Sequence, residues 1–153
     1  MKTIEQEMNG KIAIVTGGNT GIGYSCAEAF VDAGMNVVIA ARREEMGIEA
    51  AKKLTERGGG ECVFFRCDVS DPDQVKALVE YAVDMYGRLD AIVNNAGYVP
   101  AHLDACDMSI ESYRNVIECN LMGAFYGCNL ETITAESGIF KSDNNCLIEI
   151  ATN

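Results

Sequence analysis

Short apolar runs alternate along this chain with longer stretches of helical periodicity, a pattern typical of a parallel sheet covered by helices. Five runs are predicted to be strands: Lys11–Thr16, Asn36–Ala41, Glu61–Arg66, Asp90–Val93 and Cys146–Ala151. The first run is apolar on both faces, as a central parallel strand requires. The pattern therefore predicts an α/β fold with a doubly wound parallel sheet in three layers.

The stretches between the predicted strands carry helix start and stop signals. Gly34 is expected to end the first helix in a left-handed cap, and Glu44 to Arg57 forms the second helix. Asp71 and Pro72 stand in favoured cap and first-turn positions, with Gln74 three residues after the cap. These signals predict one helix after each of the first three strands.

Ser109 is predicted to cap a long helix that runs to about Thr134 and carries two apolar stripes. The first stripe is Ile110, Tyr113, Ile117, Asn120, Ala124 and Cys128, and the second is Val116, Cys119, Gly123, Tyr126 and Leu130. A helix that is apolar on two sides packs on the sheet with one side and on a partner with the other. We expect the stripe with Asn120 to face the sheet, and we expect a homo-oligomer through the helix around Val116–Leu130.

Composition narrows the class of protein. The 153 residues, 48% of them hydrophobic, predict one domain spanning residues 1–153, and the net charge of −11 argues against a nucleic-acid partner. No apolar stretch approaches the ~20 residues of a membrane span, and the polar start does not resemble a signal peptide, so we expect a cytoplasmic protein. The seven cysteines show no C-x-x-C spacing, so we expect reduced thiols and no metal site.

The glycine turn after the first strand carries the main candidate chemistry. It reads Thr16-Gly17-Gly18-Asn19-Thr20-Gly21-Ile22-Gly23 and stands between a β-rich run and an amphipathic helix. Backbone N–H groups at a helix start, aided by the helix dipole, bind a pyrophosphate, and glycines allow its close approach. The turn therefore predicts a Rossmann-type dinucleotide site, with an ordinary βα turn as the alternative.

Two other phosphate sites have similar spacing. The segment Gly18–Ser25 resembles a P-loop, but Tyr24 occupies the lysine position, which disfavours nucleoside-triphosphate chemistry. A receiver-type phosphorylation domain needs carboxylates at strand ends to bind a metal, whereas the first strand here ends in Thr16 and glycine. Both alternatives are weaker than the dinucleotide site.

The residues after the second strand bear on the choice of cofactor. An acid about twenty residues past the glycines would bind the adenosine ribose hydroxyls and select NAD. Here the strand ends in Ala41 and is followed by Arg42 and Arg43, which can bind a 2′-phosphate through several donors. We therefore predict NADP(H), with NAD(H) as the alternative cofactor and a solvated helix-start charge as the alternative role of the arginines.

With these residues in place, the sequence resembles the short-chain dehydrogenase/reductase family over nearly its whole length. The glycine turn matches that family's TGxxxGIG motif, and Asn94-Asn95-Ala96-Gly97 matches its NNAG motif. Asp68-Val69 matches the pair after the third strand, whose aspartate contacts the adenine in that family. The resemblance implies an oxidoreductase that transfers a hydride between nicotinamide and an alcohol or ketone. It also implies these cofactor-binding residues: Thr16, Gly17, Asn19, Thr20, Gly21, Ile22, Gly23, Arg42, Arg43, Asp68, Val69, Asn95, Ala96 and Gly97.

The catalytic part of the family pattern is matched only in part. Asn120 matches the helix asparagine of the family's catalytic tetrad, with a satisfied structural amide as the alternative, and Thr152 stands at the serine position. No tyrosine is followed four residues later by lysine, the pair that supplies the family's acid and base. His102, a lone loop histidine, is expected to be a surface residue.

These departures shape the expected function. We expect a domain that is C-terminally incomplete after the fifth strand, with that strand as an uncovered edge. The leading hypothesis is an NADP(H)-dependent oxidoreductase whose proton-transfer residues are absent from this chain, so that turnover by the chain alone is negligible. The alternatives are a catalytically inactive dinucleotide-binding module and a poorly stable fragment.

Overall fold

In the computed structural model of the chain, the described residues are 3–100, 106–136 and 148–151. The strands are β1 (Ile12–Thr16), β2 (Asn36–Ala41), β3 (Cys62–Arg66), β4 (Ala91–Asn94) and β5 (Ile148–Ala151). The helices are α1 (Ile4–Met8), α2 (Gly21–Asp32), α3 (Glu44–Thr55), α4 (Pro72–Tyr86), α5 (Ile110–Ile117) and α6 (Gly123–Glu136). A π-helical turn, Glu118–Met122, joins α5 to α6.

The five strands form one parallel sheet in the order β3-β2-β1-β4-β5. Strand β1 is central, with Ile14 paired to Val38 of β2 on one side and to Ile92 of β4 on the other. The strand order reverses at β1, because the chain moves outward to β2 and β3 and then returns to β4. This topology confirms the predicted doubly wound sheet, and the reversal creates a crevice at the carboxyl ends of the strands.

Alternate side chains of β1 supply two cores on opposite faces of the sheet. Ala13 and Val15 pack with Val31 of α2 in one buried cluster. Ile14 packs with Leu78 of α4 in the other. Because successive residues of a strand point to opposite faces, a run that is apolar throughout can bury both sides. The three-layer architecture predicted from that run is confirmed.

The predicted helix signals are present, with one difference in their hydrogen bonds. Gly34 has a φ of +85° just beyond α2, as the cap prediction required. The Asp71 carboxylate caps α4 by accepting a hydrogen bond from the backbone N of Asp73 at 3.0 Å. A hydrogen bond from Gln74 holds the pKa of the Asp71 carboxyl below its usual range. The Gln74 amide oxygen, however, accepts from the backbone N of Asp68 rather than from that of Asp71.

The prediction that the stripe with Asn120 faces the sheet is wrong for the first part of the long helix, although Cys128 of that stripe does contact Asn94 at the end of β4. Cys119 and Tyr126 of the second stripe pack against the core beside α4, and Gly123 lies so close to Val69 that a Cβ would come within 2.8 Å of it. Ile110 and Tyr113 of the first stripe are exposed instead. The 3.6-residue period grouped Cys119, Gly123 and Tyr126 correctly on one face, but it could not determine which of the two apolar stripes meets the core.

Most predicted element bounds agree with the structure to within two residues. Strand β4 begins and ends one residue later than predicted, and α3 ends at Thr55 rather than at Arg57. The predicted start of the last strand, Cys146, lies outside the described residues. No helix within residues 3–100, 106–136 and 148–151 is long and apolar enough to cross a membrane.

Candidate functional site

A cleft of about 430 Å³ lies at the carboxyl ends of β1, β2 and β4, where the strand order reverses. Ligands of open parallel sheets bind in this position, because neighbouring loops diverge there. Ten of the residues predicted to bind the cofactor line it: Gly17, Asn19, Thr20, Arg42, Arg43, Asp68, Val69, Asn95, Ala96 and Gly97. Residues from three separate motifs therefore meet at one surface.

The glycine turn is packed so tightly against the end of β4 that larger residues cannot replace two of its members. Gly17 has a φ of +67°, and a Cβ there would lie 2.8 Å from the side-chain nitrogen of Asn95 and 3.1 Å from the Cα of Ala96. A Cβ on Gly23 would collide with the same nitrogen and with the carbonyl oxygen of Gly17. Glycine at these positions lets the backbone of the turn form the floor of the cleft.

Thr16 fixes the turn to the strand next to it. Its hydroxyl is buried, accepts hydrogen bonds from the backbone nitrogens of Asn95 and Ala96 at 3.0 Å each, and donates one to the carbonyl of Val93 at 3.3 Å. The Asn95 side chain donates in return to the carbonyl of Thr16 at 2.9 Å. Two segments almost 80 residues apart in sequence are thereby held as one rigid floor.

Polar donors at the turn have no protein partner. Asn19 lines the cleft, and its side-chain nitrogen is buried and makes no hydrogen bond with the described residues. Thr20 precedes the 12-residue helix α2 in an extended conformation and makes no side-chain hydrogen bond to cap it. Uncapped N–H groups and the positive end of the helix dipole favour an anionic group at this position.

Asp68 is held by two residues that sequence reasoning did not assign to the site. Ser70 donates to the Asp68 Oδ1 atom from its backbone N at 3.1 Å and from its hydroxyl at 2.7 Å. Gln74 accepts from the backbone N of Asp68 at 3.0 Å. The signal was the Asp-x-Ser spacing, because an aspartate often accepts hydrogen bonds from the residue two positions later.

The charge of the cleft at neutral pH comes from its arginines and Asp68. Arg42 and Arg43 are exposed at the rim, and Arg42 Nη1 lies 3.9 Å from Asp68 Oδ2. Burial raises the pKa of the Cys67 thiol to about 12, and it also raises the pKa of Cys119. These two thiols, which line the same cleft, therefore stay protonated and add no negative charge.

Asn120 lies in the π-helical turn and binds the loop that follows the NNAG motif. Its side-chain oxygen accepts from the backbone N of Tyr98 at 2.7 Å, and its side-chain nitrogen donates to the carbonyl of Tyr98 at 3.0 Å. This pairing is what the alternative of a satisfied structural amide requires. Two hydrogen bonds of Asn120 therefore join the backbone of Tyr98 to the π-helical turn.

The remaining predicted site residues lie outside the lining of the cleft. Thr16 and Gly23 are buried beneath it, whereas Gly21 and Ile22 are exposed at the start of α2. Thr152 and His102 fall outside the described residues. Within the part of the chain that the structure describes, no group of three histidine, cysteine or acidic side chains could hold a metal ion.

Comparison with known proteins agrees with this geometry. The short chain dehydrogenase family matches residues 11–136. The chain is 36% identical to short-chain dehydrogenase reductase 5 of Arabidopsis thaliana over 119 residues, which are 78% of this chain and 45% of that protein. It thus spans about half the length of the curated relatives it matches.

Two solved structures share the fold. A short chain dehydrogenase/reductase from Burkholderia phymatum in complex with NAD has a TM-score of 0.80 and 29% identity over 94% of this chain and 49% of that one. The NADPH-dependent 3-quinuclidinone reductase from Rhodotorula rubra has a TM-score of 0.77 and 30% identity over 86% of this chain and 49% of that one. The two neighbours differ in cofactor.

The doubly wound sheet and the glycine-floored cleft at its strand reversal define a Rossmann-type fold. The chain belongs to the short chain dehydrogenase family.

Proposed function

We propose that residues 1–153 form one domain that binds NADP(H) for hydride transfer to or from a small alcohol or carbonyl substrate. The observation that carries the proposal is the cleft itself, in which the glycine turn and the two arginines after β2 line one surface. The glycine turn offers donors to a pyrophosphate, and Arg42 and Arg43 offer cations where a 2′-phosphate would lie. When bound, the nicotinamide supplies or accepts the hydride.

The residues present fit such a dinucleotide. The unpartnered nitrogen of Asn19 and the uncapped start of α2 are donors in need of an acceptor, and a phosphate supplies acceptors. A Cβ on Gly21 would meet nothing within 4 Å, so the space in front of the helix is open. Asp68 and Val69 lie on the β3 side of the cleft, where they would contact the adenine.

The preference for NADP(H) over NAD(H) is the finer part of the proposal. Strand β2 ends at Ala41, so no carboxylate stands at the strand end to bind the ribose hydroxyls or to repel a 2′-phosphate. Arg42 is exposed beside this position and can turn its guanidinium toward the ligand. Bidentate binding of phosphate by arginine supplies both affinity and orientation.

Replacing Arg42 by alanine is expected to weaken binding of NADPH by about 10- to 100-fold while leaving binding of NADH nearly unchanged, since a charge-assisted pair to the 2′-phosphate is lost. Fluorescence titration of each cofactor measures the two dissociation constants. Arg66→Ala is the matched control, because Arg66 is an exposed arginine at the end of β3 that does not line the cleft. An equal loss for both cofactors, or tighter binding of NADH by the unmodified chain, would contradict the proposal.

The proton-transfer part of the reaction is not assigned to the cleft. No tyrosine of the sequence is followed four residues later by lysine, and both side-chain polar atoms of Asn120 are paired with Tyr98. Asn120 and Thr152 remain proposed contributors, Asn120 by positioning and Thr152 by hydrogen bonding to the substrate oxygen. The same observation favours a second candidate function, a dinucleotide-binding module that does not turn over substrate by itself.

We also propose self-association through the exposed apolar side chains Leu121 and Phe125, which are 60% and 55% exposed at the junction of the π-helical turn and α6. Sedimentation is expected to show an oligomer that Phe125→Glu dissociates, because a charge at the centre of an apolar interface is costly to bury. Met46→Glu on α3 is the control, because it adds the same charge at another exposed apolar site. A chain that sediments only as a monomer would contradict this proposal.

A further inference from the structure

Asp68 presents its two carboxylate oxygens to different partners. Oδ1 accepts both hydrogen bonds from Ser70, at 3.1 Å and 2.7 Å, which fixes the orientation of the carboxylate. Oδ2 points the other way and lies 3.9 Å from Nη1 of Arg42. Because Gln74 also binds the backbone N of Asp68, the negative charge is held in place while the Arg42 side chain is free to turn about its own bonds.

The pair of Arg42 and Asp68 forms a wall between two cavities. Both residues line the cleft over the glycine turn, and both line a second cavity of about 390 Å³ beside Tyr98 and Asn115. A separation of 3.9 Å is too long for a hydrogen bond, so the contact is a loose attraction between charges. Arg42, with its side chain 63% exposed, can exchange this contact for another anion at little cost, whereas Asp68 is 35% exposed.

We propose that Asp68 limits the preference for NADP(H) by competing with the cofactor's 2′-phosphate for Arg42. This inference rests on the proposed function, in which Arg42 binds that phosphate. The 2′-phosphate carries a charge of almost −2 and would lie next to Arg42. Arg42 must then either leave Asp68 or divide its hydrogen-bond donors between the two anions. NAD(H) carries no such group, so the competition weakens binding of NADP(H) alone.

Asp68→Asn tests the competition, because asparagine keeps an oxygen for Ser70 and nearly the same shape but carries no charge. The ratio of the dissociation constants of NADH and NADPH is expected to rise about three- to tenfold at low salt, and by less at high salt, where charges are screened. If Asp68→Asn weakens an adenine contact, both dissociation constants change by the same factor, and that factor cancels in the ratio. Asp68→Ser, which also removes the charge, is the second variant if asparagine disturbs folding.

Asp73→Asn is the matched control. Asp73 lies in the first turn of α4, is exposed, and lines neither cavity, so this variant loses the same charge without touching Arg42. Its ratio is expected to stay at the value of the unmodified chain. If Asp73→Asn raised the ratio as much as Asp68→Asn does, the effect would come from net charge, and the inference would be wrong.

The double variant Arg42→Ala/Asp68→Asn separates competition from direct repulsion. If Asp68 acts through Arg42, removing its charge changes the ratio little once Arg42 is gone. The inference would be overturned if Asp68→Asn raised the ratio of the dissociation constants equally with and without Arg42, or if Asp68→Asn alone did not raise it. Either result would leave the proposed function intact. A ratio that Arg42→Ala does not change would instead contradict the proposed function.

Discussion

Replacing Gly17 by alanine is expected to weaken binding of NADPH and NADH alike by about 100-fold or more, equivalent to roughly 2.7 kcal/mol of binding free energy. The Cβ would lie 2.8 Å from the side-chain nitrogen of Asn95 and 3.1 Å from the Cα of Ala96, so the floor of the cleft must shift. The backbone N–H groups of the turn would then no longer point at the pyrophosphate. Fluorescence titration of both cofactors measures the loss.

Gly58→Ala is the matched control for this variant. Gly58 has a φ of +86°, close to the +67° of Gly17, but a Cβ there would meet nothing within 4 Å. Both substitutions therefore introduce a similar backbone strain, but only the alanine at position 17 collides with its neighbours. If Gly58→Ala lost as much affinity as Gly17→Ala, strain rather than the shape of the cleft would explain the result.

Replacing Thr16 by valine is expected to reduce the free energy of unfolding by roughly 1–3 kcal/mol, because the backbone N–H of Ala96 loses its acceptor, whereas that of Asn95 keeps the carbonyl of Val93 at 3.0 Å. Valine keeps the shape of threonine, and the Thr16 side chain is only 3% exposed, so water cannot replace the hydroxyl without disturbing the packing. Urea denaturation followed by linear extrapolation measures the change.

Thr16→Ser is the control that keeps the three hydrogen bonds and removes only a methyl group. It is expected to retain most of the stability, with a loss of about 1 kcal/mol for the methyl. A Thr16→Val chain as stable as Thr16→Ser would show that the hydroxyl does not hold the glycine turn to β4. The same pair should also differ in cofactor affinity, because Thr16 fixes Asn95 beneath the cleft.

The part of the fold that follows from local patterns was predictable. An apolar run such as Ile12–Val15 can bury both faces only in the middle of a parallel sheet, and it forms β1. Asp71 followed by Pro72 starts α4, and Gly34 ends α2, because both signals act through the residues next to them. The alternation of such elements predicts a parallel sheet covered by helices.

The long helix shows where periodicity fails. The period of 3.6 residues per turn groups Cys119 with Tyr126, and both do pack against the core. It does not tell which of two apolar stripes faces the core, and it does not predict the π-helical turn at Glu118–Met122. The turn also lies where Asn120 pairs with the backbone of Tyr98, a contact between residues 22 positions apart. No window of sequence around the helix contains that partner, so local reasoning could not predict it.

The sequence predicted which residues line the candidate site, but it did not predict the hydrogen bonds between them. The glycine turn, the arginines after β2 and the NNAG motif each stand at the end of a strand, and the ends of neighbouring parallel strands meet at one edge. The hydrogen bonds of Thr16 to Asn95 and of Gln74 to Asp68 depend instead on side-chain rotamers in the folded state. These hydrogen bonds hold the residues of separate motifs together in one rigid cleft. The bond to Gln74 also fixes the position of Asp68.

Titration of the unmodified chain with NADPH and with NADH, followed by cofactor fluorescence, tests the central claim most directly. The proposed function predicts saturable binding of both cofactors, with NADPH bound about tenfold more tightly or better, since only NADPH offers a 2′-phosphate to Arg42. Failure of both cofactors to saturate would contradict a dinucleotide site at the glycine turn. Tighter binding of NADH would contradict the assignment of Arg42.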